Sequence, residues 1–440
     1  MYPLSRHLYS IALYLLTPLL LLHLLWRSRR QPAYRRRLAE RLGLFRAPVG
    51  GAPSIWVHAV SVGEVHAAAP LVEALLERYP HHVLVFTTTT PAGAARVRAL
   101  FGARVFHVYL PWDLPGAVRR FLRRVRPQLL VLVETELWPN LVHRARAADC
   151  RVLLASARLS ADSAAGYARL GPLLRGLLRE VDIIACQSAR DARRFLALGA
   201  PAHAVTVCGS LKFDAALAPA ADPAVAAGER PLLVAGSTHP GEEEALLQVL
   251  ARLRAARQDV LLVLAPRHTE RADALAQLCR DAGWTVGRRS TGASADSACD
   301  VLLLDTLGEL PDFYAAAAVA FVGGSLVPRG GQNTLEAAAC GVPVVCGPHT
   351  ANFARVNGLL AAQGALLTVA DTRGLAEVMA RLLQEPARRA AMGAAGRRAI
   401  AARRGARDAL LRVIQALLAG ETPAYFEPAP EAVAGAGGSR

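Results

Sequence analysis

Short apolar runs alternate with amphipathic stretches along most of the chain, and this alternation restricts the possible folds more than any other feature. Ile55–Val60 precedes a helical stretch from about Glu64 to Tyr79, Val83–Thr87 precedes Pro91–Phe101, and Leu129–Val133 leads into a helix after Pro139. Apolar runs of strand length set between helices read as parallel strands buried on both faces, because each crossover lays a helix against the sheet. The pattern pauses between Ser210 and Glu229, in a stretch rich in Ala and Pro. It then resumes with Leu232–Ala235, a helix from Glu242, Val260–Leu264, a helix from Arg271, Val301–Leu304, a helix near Leu310–Ala317, Val319–Val322, a helix from Thr334, and Val342–Cys346. The expectation is an α/β protein of two Rossmann-like, doubly wound domains. A length of 440 residues agrees, since single cores stop growing at roughly 250–300 residues. The expected boundaries are an anchor with its basic flank at 1–30, a first domain at 31–212, a linker at 213–228, a second domain at 229–419 and a disordered tail at 420–440.

Leu8 to Trp26 is almost free of charge and long enough to span or embed in a bilayer. Arg27, Arg29, Arg30, Arg35, Arg36 and Arg37 follow it, and only Arg6 precedes it. The excess of positive charge places the body of the protein in the cytoplasm. A cleaved leader would carry its charges first and a small-residue cleavage site after, so the segment reads as a retained anchor. Pro18 and His23 leave open whether it crosses the bilayer or lies within one leaflet. The 51 basic side chains outnumber 35 acidic ones, a net charge of +16 that suits nucleic acid, an acidic membrane surface or a phosphorylated substrate. Lys212 is the single lysine. Seven cysteines form no CxxC pair, which argues against a disulfide framework or a metal site and for a cytosolic body.

Open parallel sheets bind their ligands beyond the carboxyl ends of the strands, so the loops there are the candidates. Ser61-Val62-Gly63-Glu64 opens directly into a helix, and Glu64 is either a helix-start carboxylate or a general base whose pKa a neighbour raises. Glu134-Thr135-Glu136 follows an apolar strand; the two carboxylates share a face if the strand continues, and burial would require them to be protonated or paired. Gly236 to Gly241 resembles a phosphate-cradling turn without the GK[ST] of a Walker loop, and it leads into Glu242-Glu243-Glu244. Pro266-Arg267-His268 offers a guanidinium at a strand end. Gly323 to Glu336 combines four glycines with Arg329, a helix cap at Asn333 and a carboxylate at Glu336 placed to accept from a ribose diol. His58, His66, His81 and His82 read as structural or solvated. HExxH, DxD and GxSxG constellations are absent, so no metal and no cofactor are expected.

Taken together, WVHAVSVGEVHAA (56–68), TTTTPAGAARV (87–97), YLPWD (109–113), VETELWPN (133–140), CGSLKFD (208–214), AGSTHPGEEE (235–244), APRH (265–268), DTLGEL (305–310) and GGSLVPRGGQNTLEAAACGVPVVCGP (323–348) resemble, in order and spacing, the 3-deoxy-D-manno-octulosonic acid (Kdo) transferases of lipopolysaccharide assembly. The resemblance runs from the anchor to about residue 418. It implies a GT-B glycosyltransferase fold, with a first domain for the lipid A precursor (lipid IVA) and a second for the donor CMP-Kdo.

The resemblance also implies roles. Glu64 is the general base of an inverting transfer that releases CMP, and Glu134 and Lys212 stabilise the transition state. Pro266 and Arg267, Gly308, Glu309 and Leu310, and Asn333, Thr334, Leu335 and Glu336 form three contacts to CMP. Many relatives read GGHNPLE where this chain has Gly331-Gln332-Asn333-Thr334-Leu335-Glu336 preceded by Gly330, so the contacts at 332 and 334 differ. The anionic partners are then a phosphorylated lipid and the cytoplasmic face of the inner membrane, not nucleic acid. A membrane-associated GT-B enzyme with a UDP-sugar donor is the alternative. The number of Kdo units, the acyl-chain selectivity, the oligomeric state and the role of the tail are not legible.

Overall fold

The computed structural model describes residues 2–47, 52–216, 230–295 and 298–421. Most of the expected linker and the expected tail beyond 421 lie outside the described residues. The chain divides into two compact units: residues up to Ala215 together with the segment from Arg404 form one, and Ala216–Arg403 the other.

The first unit is built on seven strands, β1 (Ser54–His58), β2 (Val83–Thr88), β3 (Phe106–Tyr109), β4 (Pro127–Val133), β5 (Arg151–Ala157), β6 (Ile183–Cys186) and β7 (Val205–Val207). They pair in the order β3-β2-β1-β4-β5-β6-β7, all parallel. Successive side chains of a strand point to opposite faces, and both faces here are apolar. Trp56, Leu130 and Val152 enter one core with Phe121 and Leu174, while Ile55, Val57, Val131 and Leu153 enter the other with Leu71 and Ile414. That double burial is why these strands read as unbroken apolar runs.

The second unit repeats the plan with β8 (Leu232–Thr238), β9 (Leu261–Pro266), β10 (Val286–Arg288), β11 (Val301–Leu303), β12 (Ala317–Val322), β13 (Val344–Cys346) and β14 (Leu366–Thr368). Their order is β10-β11-β9-β8-β12-β13-β14, again all parallel. The expected α/β architecture of two doubly wound sheets is present.

One boundary differs from the expectation. The expected second domain runs over 229–419, yet the helix Ala406–Leu418 belongs to the first unit, where Leu410, Val413, Ile414 and Leu417 join the core under β4 and β5. Apolar periodicity shows that a helix buries one face and does not say which sheet receives it. The N-terminal helix runs from Tyr2 to Arg30 and is long and apolar enough to cross a membrane, with a mean hydropathy of 2.0.

The strand order reverses between β1 and β4 in the first sheet and between β8 and β12 in the second, where β11 also lies between β9 and β10. Crossovers leave in opposite directions there and open a crevice at the carboxyl ends of the strands.

Candidate active site

In the first unit the crevice is flanked by the loops after β1 and β4, which carry Glu64 and Glu134. Ser61 caps the helix Val62–Arg78: its hydroxyl oxygen accepts from the Glu64 N–H at 3.4 Å, while Glu64 Oε1 accepts from that hydroxyl at 3.1 Å and Oε2 from the Val60 N–H at 2.6 Å. The Ser61 hydroxyl caps the helix and the Glu64 carboxylate reaches back to Val60 and Ser61, so the two readings of Glu64 converge: the bonds that brace the helix start also fix the carboxylate. Burial pushes its pKa up, and the nearby charges of Glu134 and Glu136 add to the rise; the bonds from Val60 and Ser61 oppose it without cancelling it. A carboxylate offers about four lone-pair sites, so acceptor capacity remains after the two capping bonds.

The strand β4 stops at Val133, and Glu134 takes a left-handed backbone conformation with φ 64°, which is strained for a residue other than glycine. The expected shared face of Glu134 and Glu136 is therefore lost, and each carboxylate has its own partner. Glu134 Oε1 lies 2.6 Å from Lys212 Nζ, with both side chains mostly buried. The short helix that carries the lysine, Leu211–Ala215, is held at its start by Ser156, whose hydroxyl oxygen accepts from the Leu211 N–H at 3.3 Å. Ser156 is itself left-handed, φ 53°, within β5.

Glu136 Oε2 accepts from Trp138 Nε1 at 2.9 Å and faces His58 Nε2 across 3.8 Å. His58, which the sequence reads as structural or solvated, is fully buried, and its Nδ1 is tied to the Thr87 hydroxyl at 2.9 Å. Glu64, Glu134, Glu136, Arg158 and Tyr167 border a recess of about 270 Å³.

The second crevice is flanked by the loops after β8 and β12. In the turn Gly236–Gly241, which resembles a phosphate cradle, the His239 N–H is taken by the protein's own Glu242. This fully buried carboxylate accepts from four backbone N–H groups: His239 at 3.0 Å, Gly324 at 2.7 Å, Ser325 at 2.9 Å and Leu326 at 2.9 Å. It thereby pins the glycine-rich loop to the start of the helix Glu242–Ala255. Glu243, also fully buried, receives two bonds from Arg271 and one from the Thr238 hydroxyl. In the sequence these glutamates are only an acidic run that follows the turn. The missing signal was the N–H row of a loop about 80 residues away, which has no local signature.

Two glycines in this region are required by close approach. A Cβ on Gly323 would stand 2.6 Å from the Ser237 carbonyl oxygen, and one on Gly347 would stand 2.3 Å from the Ser325 carbonyl oxygen. Asn333 caps the helix Thr334–Cys340, accepting from the Leu335 N–H at 3.2 Å and donating from Nδ2 to Glu336 Oε1 at 3.0 Å. Thr334 and Leu335 are buried, and the Thr334 hydroxyl donates to Asn357 Oδ1 at 2.6 Å, so these two residues can meet a ligand only through their backbone. Pro266 closes β9, and Arg267 beyond it is exposed, with its N–H donating to the Thr238 carbonyl at 3.0 Å. In the loop after β11, Gly308 has φ 100° and Glu309 is gripped by Arg289 at 2.8 Å and by the Thr306 hydroxyl. Burial alone would raise the Glu309 pKa, but those two donors outweigh it and hold the carboxyl below the usual range. Leu310 begins the helix Leu310–Ala316. All three expected donor segments thus lie at the carboxyl ends of the second sheet.

A family model described as "3-Deoxy-D-manno-octulosonic-acid transferase (kdotransferase)" matches residues 36–215, and one described as "Glycosyl transferase-like" matches residues 304–410. The 3-deoxy-D-manno-octulosonic acid transferase of Bordetella pertussis is 43% identical over 420 residues, covering 91% of this chain and 97% of its own. That of Haemophilus influenzae is 38% identical over 421 residues, covering 94% and 99%. The chain belongs to the Kdo transferase family.

Kdo transferases are glycosyltransferases of lipopolysaccharide biosynthesis, and this chain is one of them. Its fold is shared more widely: the UDP-GlcNAc 2-epimerase of Neisseria meningitidis superposes with a TM-score of 0.55 at 13% identity, covering 82% of this chain and 99% of that one. At so low an identity the likeness concerns the GT-B fold alone. Within this Kdo transferase, Gln332 places Nε2 3.4 Å from His239 Nε2.

Proposed function

We propose that the protein transfers Kdo from CMP-Kdo to a phosphorylated lipid A precursor, lipid IVA, with inversion at the anomeric carbon and release of CMP. The observation that carries the reading is the Glu64 carboxylate, fixed by two hydrogen bonds beside a recess and raised in pKa by burial and by two neighbouring carboxylates. Glu64 takes the proton of the acceptor hydroxyl as its oxygen attacks the anomeric carbon. An ordinary glutamate is a weak base at neutral pH, and the raised pKa improves the match.

Lys212, oriented by Glu134, stabilises the negative charge of the transition state with the donors of its ammonium group that the ion pair leaves over. Pro266 and Arg267, Gly308 to Leu310, and Asn333 to Glu336 hold CMP, with Arg267 facing phosphate and the Glu336 carboxylate the ribose. The protein works at the cytoplasmic face of the inner membrane, attached through its N-terminal helix and the arginines that follow.

The test is release of CMP by detergent-solubilised protein given CMP-Kdo and a tetraacylated lipid A precursor, with the lipid followed by mass spectrometry. Acceptor-dependent release with a lipid mass gain of one or more Kdo units is the expected result. No release from a folded protein that still binds the lipid overturns the reading, as does calorimetric preference for UDP over CMP.

A further inference from the structure

From Tyr2 to Ser10 the N-terminal helix presents its polar side to the protein and its apolar side outward, the reverse of a helix that packs on a soluble core, and beyond Tyr14 Leu16, Leu20 and Leu25 are exposed as well. Tyr2, Arg6, Tyr9 and Ser10 recur at the three- and four-residue spacing of one helical face. The Tyr2 hydroxyl donates to Glu180 Oε2 at 2.6 Å, Arg6 and the Ser10 hydroxyl donate to Asn140 Oδ1 at 3.3 and 3.0 Å, and the Tyr9 hydroxyl donates to Asp113 Oδ2 at 3.0 Å. One turn on, the Gly116 N–H donates to the Tyr14 hydroxyl oxygen at 3.3 Å.

The receiving groups belong to the interior of the first unit. Asn140 is fully buried and donates to the Asp113 carbonyl at 2.7 Å, and the Asp113 carboxylate accepts from the N–H groups of Asn140 and Leu141. Glu180 also receives His143 at 2.7 Å. Shape agrees with chemistry: the Tyr2 ring sits against Gly176, where a Cβ would lie 2.1 Å from its carbons. On the opposite side Leu4, Leu8, Ile11, Leu15, Leu19, Leu22 and Trp26 form a second stripe of helical spacing, 56% to 74% exposed.

We propose that this helix does not cross the bilayer: it stays docked on the first unit by its polar face and sinks its apolar face into the one leaflet that holds the acceptor lipid. The inference rests on the membrane attachment proposed above. Its decisive element is length. With Tyr2 to Tyr14 held on the folded unit, only Leu15–Trp26 is left to span, about 18 Å at 1.5 Å per residue against a hydrocarbon core of roughly 30 Å. Crossing would require the first half to leave its seat and expose the buried Asn140 and Asp113 to lipid or water unpartnered on that side. Lying in the plane requires nothing to move, and it sets Arg29, Arg35 and Arg36, all exposed, at the depth of anionic headgroups.

The experiment uses the full chain in its membrane, with protease-cleavable tags at both termini and, separately, with Tyr2→Cys and Glu180→Cys joined by a short bis-maleimide; the parent chain with its own seven cysteines is the control. The expected result is a chain that sediments with carbonate-washed membranes, keeps both tags when protease is added outside spheroplasts, loses both when the membranes are opened, and cross-links only as the double variant. A sedimenting chain whose amino-terminal tag is cut from outside overturns the in-plane helix and leaves membrane attachment standing. Protected tags without the cross-link overturn the docking. A chain found in the soluble fraction overturns the attachment itself.

Discussion

Glu64 serves two ends with one carboxylate, capping a helix and facing a recess, and its behaviour with pH follows from both. Because its pKa is raised, the proton returns at a higher pH than for an ordinary glutamate near 4.3, and a base that is protonated is inactive. The acid limb of kcat/KM is therefore expected above the usual carboxylate range, falling tenfold per pH unit below its midpoint. Glu136→Gln removes one of the charges that raise it and is expected to move that midpoint downward; an unchanged limb would dissociate Glu64 from the profile. Glu64→Gln preserves the cap geometry and is expected to lower kcat by roughly 10²–10⁴-fold, read as CMP release. Lys212→Arg keeps the charge but replaces a compact ammonium with a planar fork, and it is expected not to restore the activity lost in Lys212→Met. These side chains were legible before any coordinates, since a lone lysine and a carboxylate after a buried strand stand out in the sequence. The left-handed backbone at Glu134 and Ser156 was not, because both are residue types that ordinarily avoid it.

The glycine-rich loop draws its shape from an element far away in sequence. Glu242 satisfies four backbone donors at once, and Glu242→Gln turns an amide N–H₂ toward N–H groups that need an acceptor. A loss on the order of 3 kcal/mol is expected, together with at least tenfold weaker CMP binding, read by thermal melting and titration calorimetry. Gly347→Ala should act on the same loop by steric means, since its Cβ would press on the Ser325 carbonyl. Binding of CMP at wild-type affinity by both variants would show that the loop's shape is immaterial to the donor. The strands and most helices of both units were legible as alternating apolar and amphipathic segments. Short strands such as Val286–Arg288 and Leu366–Thr368 were not, because three residues carry too little periodicity and their apolar character comes from neighbours in the sheet.

At the scale of the molecule, both sheets are wholly parallel, and each carries its candidate residues in loops at the carboxyl ends of its strands. That much followed from the alternation of runs. The return of Ala406–Leu418 to the first unit did not, because its apolar stripe would serve either sheet. A chain ending at Arg403 is expected to lose cooperative unfolding of the first unit, since Ile55, Val57, Val131 and Leu153 would lose the cover of Leu410, Val413, Ile414 and Leu417. Circular dichroism melting would check it; an intact first transition would count against the assignment. The same helix has a genealogical meaning. Since the chain enters the second unit after Ala215 and comes back at Arg404, that unit is an insertion within the first, and only the inserted one is encoded by an uninterrupted stretch of gene. Exchange of the second unit between related enzymes would then need two crossovers, whereas exchange of everything upstream of the junction would separate the first sheet from its own last helix.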